Sequence, residues 1–291
     1  MDTEVWRVLM AAVKSADRQV PRVGRRPRYT DALIVKLYLW SVWYDRPLCW
    51  ACDRDHYNRM FRPRQLPSVS QFTRRVKTAR VTQMLQAVNE YLARSDASVG
   101  LAFLDGKPLP IGDYSRDPDA RDGRGAGRFQ RGYKLHALAS LDGRILRHSV
   151  HPLNVGEPNT ARSDLVDAIP KRSLVLADSN YDSAALYTAV QSRQSQLLTP
   201  LKGRSQQPER RKRMGAARRV IVELWESQAE ACQAILRMRG DVERLFSALS
   251  SFGGGLVALP PWVRRHARVR RWVAAKIAIY HARLRCRRLA V

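Results

Sequence analysis

The sequence predicts an α/β fold, a mixed sheet flanked by helices, with an all-α region at its amino-terminal end. Three observations carry that expectation. Through roughly the first 95 residues, apolar side chains recur at spacings of three and four, the period of one helix face. Farther on, two short unbroken apolar runs, Val99 to Leu104 and Leu174 to Ala177, each lead into an aspartate, as buried strands do when a polar residue ends them. Between the runs, Tyr133, Leu135, Ala137 and Ala139 alternate with Lys134, His136, Leu138 and Ser140 ahead of Asp142-Gly143, the signature of a strand entering a hairpin turn.

Taken in order, Thr30 and Asp31 are placed to cap a helix carrying Leu33, Val35, Leu37, Leu39, Trp40 and Trp43. Leu48 to Cys52 reads as part of an apolar helix packing inward. After a basic link from Arg59 to Gln65, Ser68 is a cap-like residue before Val69, Phe72 and Val76 at helical spacing, which leaves Arg74, Arg75 and Lys77 on the remaining surface. Such a segment is either a helix-turn-helix recognition element or an amphipathic helix with a solvated basic face. The apolar run ending at Asp105 predicts a strand, the Gly-, Asp- and Arg-rich stretch from Gly106 to Arg131 a mobile loop, and Ile145 to Val150 the second arm of the hairpin. A helix over Asn159 to Ile169, a strand ending at Asp178, a helix through Ala184 to Val190 and a short strand at Gln196 to Thr199 follow. The basic cluster from Lys202 to Arg219 contains Arg210, Arg211, Lys212 and Arg213; it is either a solvated loop or one that contacts phosphates. One long helix is predicted from about Glu226 to Ser251, stopped by Gly253-Gly254-Gly255, and a last basic helix from about Val263 to Leu284. The pattern divides the chain into a helical, helix-turn-helix-like region at 1–95, an α/β domain at 96–258 with a basic insertion at about 202–225, and a basic carboxy-terminal helix at 259–291.

Charge narrows the partners. Lys and Arg number 52 against 26 Asp and Glu, a formal charge of +26 at pH 7 over 291 residues. One sign in such excess repels itself in the compact state unless a polyanion neutralises it, and a DNA duplex offers one negative charge per ~1.7 Å of axis. The four cysteines, Cys49, Cys52, Cys232 and Cys286, are too few and scattered for a disulfide framework. Cys49, Cys52 and His56 invite a zinc reading, but no second ligand pair accompanies them to close a four-ligand site. No signal peptide is recognised in Met1 to Lys14, and the apolar stretches Ala32 to Tyr44 and Trp272 to Tyr280 are short and each carries a Lys. The expectation is a cytoplasmic, nucleoid-associated protein with no membrane span.

The chemistry-bearing residues are acids. Either Asp105 or Asp178 alone could be a turn residue, yet sites in open α/β sheets gather at strand ends. On the predicted long helix, Leu236, Arg239, Glu243, Phe246 and Ser250 share a face with Glu243 at its centre. Beside Arg239 and Arg244 that glutamate is equally readable as half of a surface ion pair. His136 and His151 are explained by the hairpin alternation and are given no catalytic role.

The arrangement resembles the DDE transposases of bacterial insertion sequences, specifically the transposase DDE domain type with an inserted segment before its glutamate. The matching residues are Leu104-Asp105-Gly106 with Lys107, Gly132-Tyr133-Lys134-Leu135-His136, Leu176-Ala177-Asp178 followed by Tyr181-Asp182, and Arg239-Gly240-Asp241-Val242-Glu243-Arg244-Leu245-Phe246. The last, an Arg, three residues and Glu-Arg, is the most specific. The sequence departs from many relatives at Leu236 and Ser250, where a Tyr and a Lys are usual. The resemblance, over roughly Ala102 to Leu256, implies an RNase H-like core: an antiparallel three-stranded meander, then helices alternating with two more strands. It also implies an enzyme in which Asp105, Asp178 and Glu243 are catalytic and hold Mg²⁺, or Mn²⁺ in its place. Carboxylate and water ligands suit that ion, and two such ions ~3.5 to 4 Å apart support in-line displacement at phosphorus. The partner implied is double-stranded DNA, both the element's inverted-repeat ends and the target, with a homo-oligomer assembled on it. Lys107, Lys134, Arg239 and Arg244 are then either phosphate clamps or plain surface charge, and Arg74, Arg75, Lys77, Lys202, Arg210, Arg211, Lys212 and Arg213 are the expected DNA contacts elsewhere.

Overall fold

A computed structural model describes residues 2–25, 27–95, 99–112, 115–125, 127–202 and 214–289, and only the backbone at 241, 288 and 289. The chain forms two compact units, Met1–Arg94 with Ala248–Val291, and Ser95–Ser247.

In the first unit, helix α1 (Thr3–Gln19) starts where the Asp2 side chain accepts from the Glu4 N–H, and α2 (Asp31–Trp43) where the Thr30 hydroxyl accepts from the Leu33 N–H. Helix α2 is apolar almost all round, with Ile34, Val35, Leu37, Leu39, Trp40 and Val42 all buried, which suits a central helix rather than a surface one. The short α3 (Val69–Arg75) opens with a capping box between Ser68 and Gln71, and α4 (Ala79–Ala93) follows. The final helix, α10 (His266–Leu289), packs against α1, α2 and α4. Within it Lys276 is only 1% exposed; its ammonium donates to Asp45 at 2.6 Å and to the Gly254 carbonyl at 2.9 Å. The apolar helix expected over Leu48 to Cys52 is instead a single 3₁₀ turn, Trp50–Cys52, with Cys49 exposed. Asp45 takes a left-handed φ of 52° after α2 and Pro47 then bars helical continuation, while His56 stacks on Trp50 with ring centroids 4.4 Å apart.

The second unit holds one six-stranded sheet: β1 (Leu101–Pro110), β2 (Arg121–Gly125), β3 (Arg128–Ser140), β4 (Ile145–Pro152), β5 (Leu174–Leu176) and β6 (Gln196–Leu198). Strand β3 pairs antiparallel with β1 on one side; on the other it pairs with β2 along its first residues and with β4 along the rest. Strands β1 and β5, and β5 and β6, are parallel, so the sheet is mixed. The hairpin turn forms as expected, with Gly143 at φ +83°. The stretch from 106 onward departs from the loop expected there. Strand β1 runs on through Asp105 to Pro110, and β2 adds a short arm before β3 begins at Arg128. Its Gly, Lys and Pro residues lack the alternation that marks a strand, yet backbone pairing with β3 from Asp105↔Ala137 to Pro110↔Gly132 holds them extended, and Leu109 is buried.

Helix α5 (Glu157–Thr160) runs into a π turn, Ala161–Leu165, and a 3₁₀ turn, Val166–Ala168. Helix α6 (Ala184–Ser192) joins β5 to β6. The long helix expected from Glu226 to Ser251 is three: α7 (Ala216–Ser227), α8 (Ala229–Arg237) and α9 (Gly240–Ser250). The break before α9 is tightened by bonds from Arg239 N to the Leu236 carbonyl and from Val242 N to the Arg239 carbonyl, three-residue spacings of a 3₁₀ turn. A helix with Gly240 inside it gives way readily there. Arg210, Arg211, Lys212 and Arg213 lie outside the described residues. Among the described residues no helix is long and apolar enough to cross a membrane.

Candidate active site

Asp105 and Asp178 are brought together by neighbouring parallel strands. Pairing between β1 and β5 ends at Phe103↔Leu176, and each aspartate stands two residues beyond that last pair, on the same end of the sheet. Asp105 therefore lies within β1 rather than at its end, on the stretch where β1 has outrun β5. Its Oδ1 accepts from the Gly106 N–H at 2.8 Å. Asp178 caps the 3₁₀ turn Ser179–Tyr181, accepting from the Asn180 backbone N–H at 2.8 Å and from its side-chain amide at 3.1 Å.

Burial dominates the electrostatics. It pushes the Asp105 carboxyl up to about 6, against the pull of the Gly106 N–H and the Arg239 guanidinium, and the charges of Asp178 and Glu157 push it the same way. Tyr181 is fully buried, its hydroxyl has no hydrogen-bond partner among the described residues, and its pKa is raised well above the ordinary value by burial, then by Glu157, Asp105 and Asp178. Glu157, in the first turn of α5, accepts from the Lys134 ammonium through Oε1 at 2.7 Å, both side chains being 12% exposed. Its Oε2 is buried with no hydrogen-bond partner among the described residues. Lys107, two residues along β1 and so on the sheet face of Asp105, has its pKa lowered by burial. Lys134 is spent on Glu157 rather than offered to solvent.

Glu243 is exposed on α9, and the side-chain charges that act most on Asp105 are those of Arg239, Asp178 and Glu157. Among the described residues no three His, Cys, Asp or Glu side chains are grouped so as to cage a metal ion. The break before α9 separates Glu243 from Leu236, with which a continuous helix would have aligned it. Arg239, in the turn at that break, is the part of the Arg-x₃-Glu-Arg block that acts on Asp105; Arg244 is exposed. His136 is buried with neither ring nitrogen bonded among the described residues, and burial pushes its pKa down to about 3, leaving it neutral. His151 meets Asp164 at 2.6 Å.

The remaining predicted contacts divide. Arg74 and Lys77 are exposed on and just after α3, but Arg75 is turned inward, donating to Asp31 and to the Tyr29 carbonyl. The apolar spacing that placed Arg75 on the surface ignores the buried carboxylate that α2 presents to it. The Lys202 side chain is exposed, while its backbone N–H and Arg218 both donate to the buried Asp182, at 2.9 and 2.7 Å.

A family model, the transposase DDE domain, matches residues 100–280. The chain belongs to that family. No curated protein matches the sequence. The transposase family implies an RNase H-like core, and the mixed sheet with flanking helices agrees. Family members generally use divalent metal ions, and the Asp105 corner fits one. A dehydrated carboxylate beside a second carboxylate costs free energy until positive charge is supplied, and Arg239 supplies only part of it. Glu157 was not singled out in the sequence, because a Glu at the start of a helix reads as a favourable charge on the helix dipole; Tyr181 stood in the matched motif after Asp178 but without a role, since a Tyr in a turn carries no signal of what it faces.

Proposed function

We propose that this transposase catalyses metal-dependent cleavage and transfer of DNA strands in the transposition of an insertion sequence. The observation that carries the reading is the placement of Asp105 and Asp178 past the last β1–β5 pair, one of them dehydrated and under repulsion from the other. Asp105 and Asp178 would hold divalent cations, Mg²⁺ or Mn²⁺, with Glu243 as the third carboxylate reaching them from α9. Such cations activate a water or 3′-hydroxyl and stabilise the leaving oxygen at phosphorus. The chain's own part is to fix the carboxylates on paired strands and to bring the charge of Arg239 to bear on Asp105, with the half-buried Lys107 two residues along β1 as a further candidate to meet a phosphate's charge in a poorly solvated place. Double-stranded DNA is the partner, element ends and target both. Arg74 and Lys77 on α3, with Lys202 and the 210–213 cluster, contact it outside the reacting bond, and a homo-oligomer forms on the DNA.

The test is cleavage and joining of an oligonucleotide duplex bearing the element's end, with Mg²⁺ or Mn²⁺. Asp105→Asn and Asp178→Asn each should reduce both activities to background while leaving the far-ultraviolet spectrum and DNA binding intact. Their effects should not add, since the two act as a unit. Glu243→Gln decides the third ligand: loss of cleavage supports it, and wild-type cleavage by the folded variant removes Glu243 from the site. Cleavage without any joined product would reduce the reading to a nuclease.

A further inference from the structure

We infer that Glu157 and Tyr181 form the outer wall of the cation site, accepting hydrogen bonds from water bound to a divalent ion that Asp105 and Asp178 hold. The inference rests on the reading of those two aspartates as the cation-holding pair. Two buried polar atoms, the Glu157 Oε2 and the Tyr181 hydroxyl, have no hydrogen-bond partner among the described residues. A buried polar group left unpaired costs free energy, and native proteins leave few of them. Both atoms belong to the Asp105 corner, and α5 and the turn Ser179–Tyr181 pack on one another. The two groups do not bond to each other, and Lys134 satisfies only Oε1.

Gly106 makes the approach possible. A Cβ at that position would lie 3.2 Å from Glu157 Oε1 and 3.0 Å from the Lys134 side chain, so a residue without a side chain lets the Glu157 carboxylate close on β1 directly after Asp105. With one Glu157 oxygen held by Lys134, the carboxylate is assigned to the ion's water shell rather than to its direct ligands. Mg²⁺ does not require one: it dehydrates reluctantly, keeps several waters and is commonly held by one or two carboxylates. Those waters are donors once coordinated, and the acceptors that face them here are the carboxylate oxygen and phenol oxygen that lack a donor. Outer groups of this kind orient the coordination shell, and losing one typically weakens metal affinity ~10- to 100-fold.

The experiment is Mn²⁺ binding to the full-length protein without DNA, read from the electron paramagnetic resonance signal of the free ion. Glu157→Gln should weaken binding ~10-fold or more, and Tyr181→Phe by a smaller factor in the same direction. Glu157→Asp, which keeps the charge but withdraws the carboxylate, should also weaken it and serves if the glutamine variant does not fold. The double variant Lys134→Met with Glu157→Gln separates two roles. Affinity that stays low supports the water-shell role; affinity restored to wild type means that Glu157 only neutralises Lys134 and overturns the inference. Asp105→Asn and Asp178→Asn are the reference: if they weaken binding while the Glu157 and Tyr181 variants match wild type, this inference fails and the aspartate site stands. If none of the variants alters binding, the aspartate site fails with it.

Discussion

Asp31 lies at the start of α2 beside Arg75 and Arg80, where burial raises its pKa but the two guanidinium hydrogen bonds outweigh burial and hold the carboxyl below its ordinary value. Asp105 shows the opposite balance, with burial and neighbouring acids prevailing over Arg239. The difference is that of a carboxylate matched by two guanidinium groups against one left under-compensated, which is what the proposed cation site requires. For Asp31 the sign follows from the depressed folded value: its contribution is complete above the unfolded pKa of ~3.9 and is lost as pH falls through the lower folded one. Asp31→Asn should therefore destabilise the protein by about 1.5 to 3 kcal/mol near neutral pH, the range for hydrogen bonds to charged groups. Urea melts of the two proteins should converge as the pH is lowered below the carboxylate range; an equal gap at both pH values would mean that the loss is steric. The same pairing engages Arg75 within the protein, while Arg74 and Lys77 are the basic side chains that α3 and its end leave exposed.

At the scale of elements, the pairing of β1 with β3 is what carries the chain past Asp105 in extended form, and Gly132 is its tightest point. A Cβ there would collide with the Leu109 carbonyl oxygen and stand 2.9 Å from Pro110 Cα, both backbone atoms that cannot swing aside. Gly132→Ala should force the two strands apart locally and cost roughly 1 to 3 kcal/mol, the usual penalty of overpacking. Hydrogen exchange should rise at the Leu109 to Lys134 amides before it rises in α6; protection unchanged along β1 would show that the strands absorb the methyl group. The hairpin, the strands leading to Asp105 and Asp178, and the caps at Thr30 and Ser68 were all legible, because period-two alternation, apolar runs and side-chain caps are local signals. The extension of β1 to Pro110 was not, since long-range pairing holds it and its own residues favour a turn. Nor was the break before α9, where apolar spacing continues across Gly240 although the backbone does not. The same continuity of spacing put Glu243 at the centre of a face it does not share with Leu236. Glu157 was invisible for a related reason, its importance lying in what α5 is packed against rather than in its neighbours along the chain.

For the molecule as a whole the ruling quantity is the formal charge of +26, which makes DNA affinity depend steeply on salt through the release of counterions. The steepness reflects how many phosphates the protein neutralises, so it can be apportioned among the basic segments by changing each in turn. Replacing Arg210, Arg211, Lys212 and Arg213 with Gln should flatten the slope of log K against log salt by up to ~0.9 for each phosphate no longer neutralised. Discrimination between the element's end and random duplex should hardly move, because binding to phosphates carries no base information of its own. Arg74→Ala is the informative comparison: if α3 reads bases, discrimination should fall by the ~1 to 3 kcal/mol that a base contact contributes, with little change in slope. Both variants keep Asp105, Asp178 and Arg239, so single-turnover cleavage at saturating protein should remain near wild type and isolate binding from chemistry. An unaltered salt slope in the four-site variant would show that the cluster touches no phosphate, and the excess charge would then have to act through residues elsewhere in the chain.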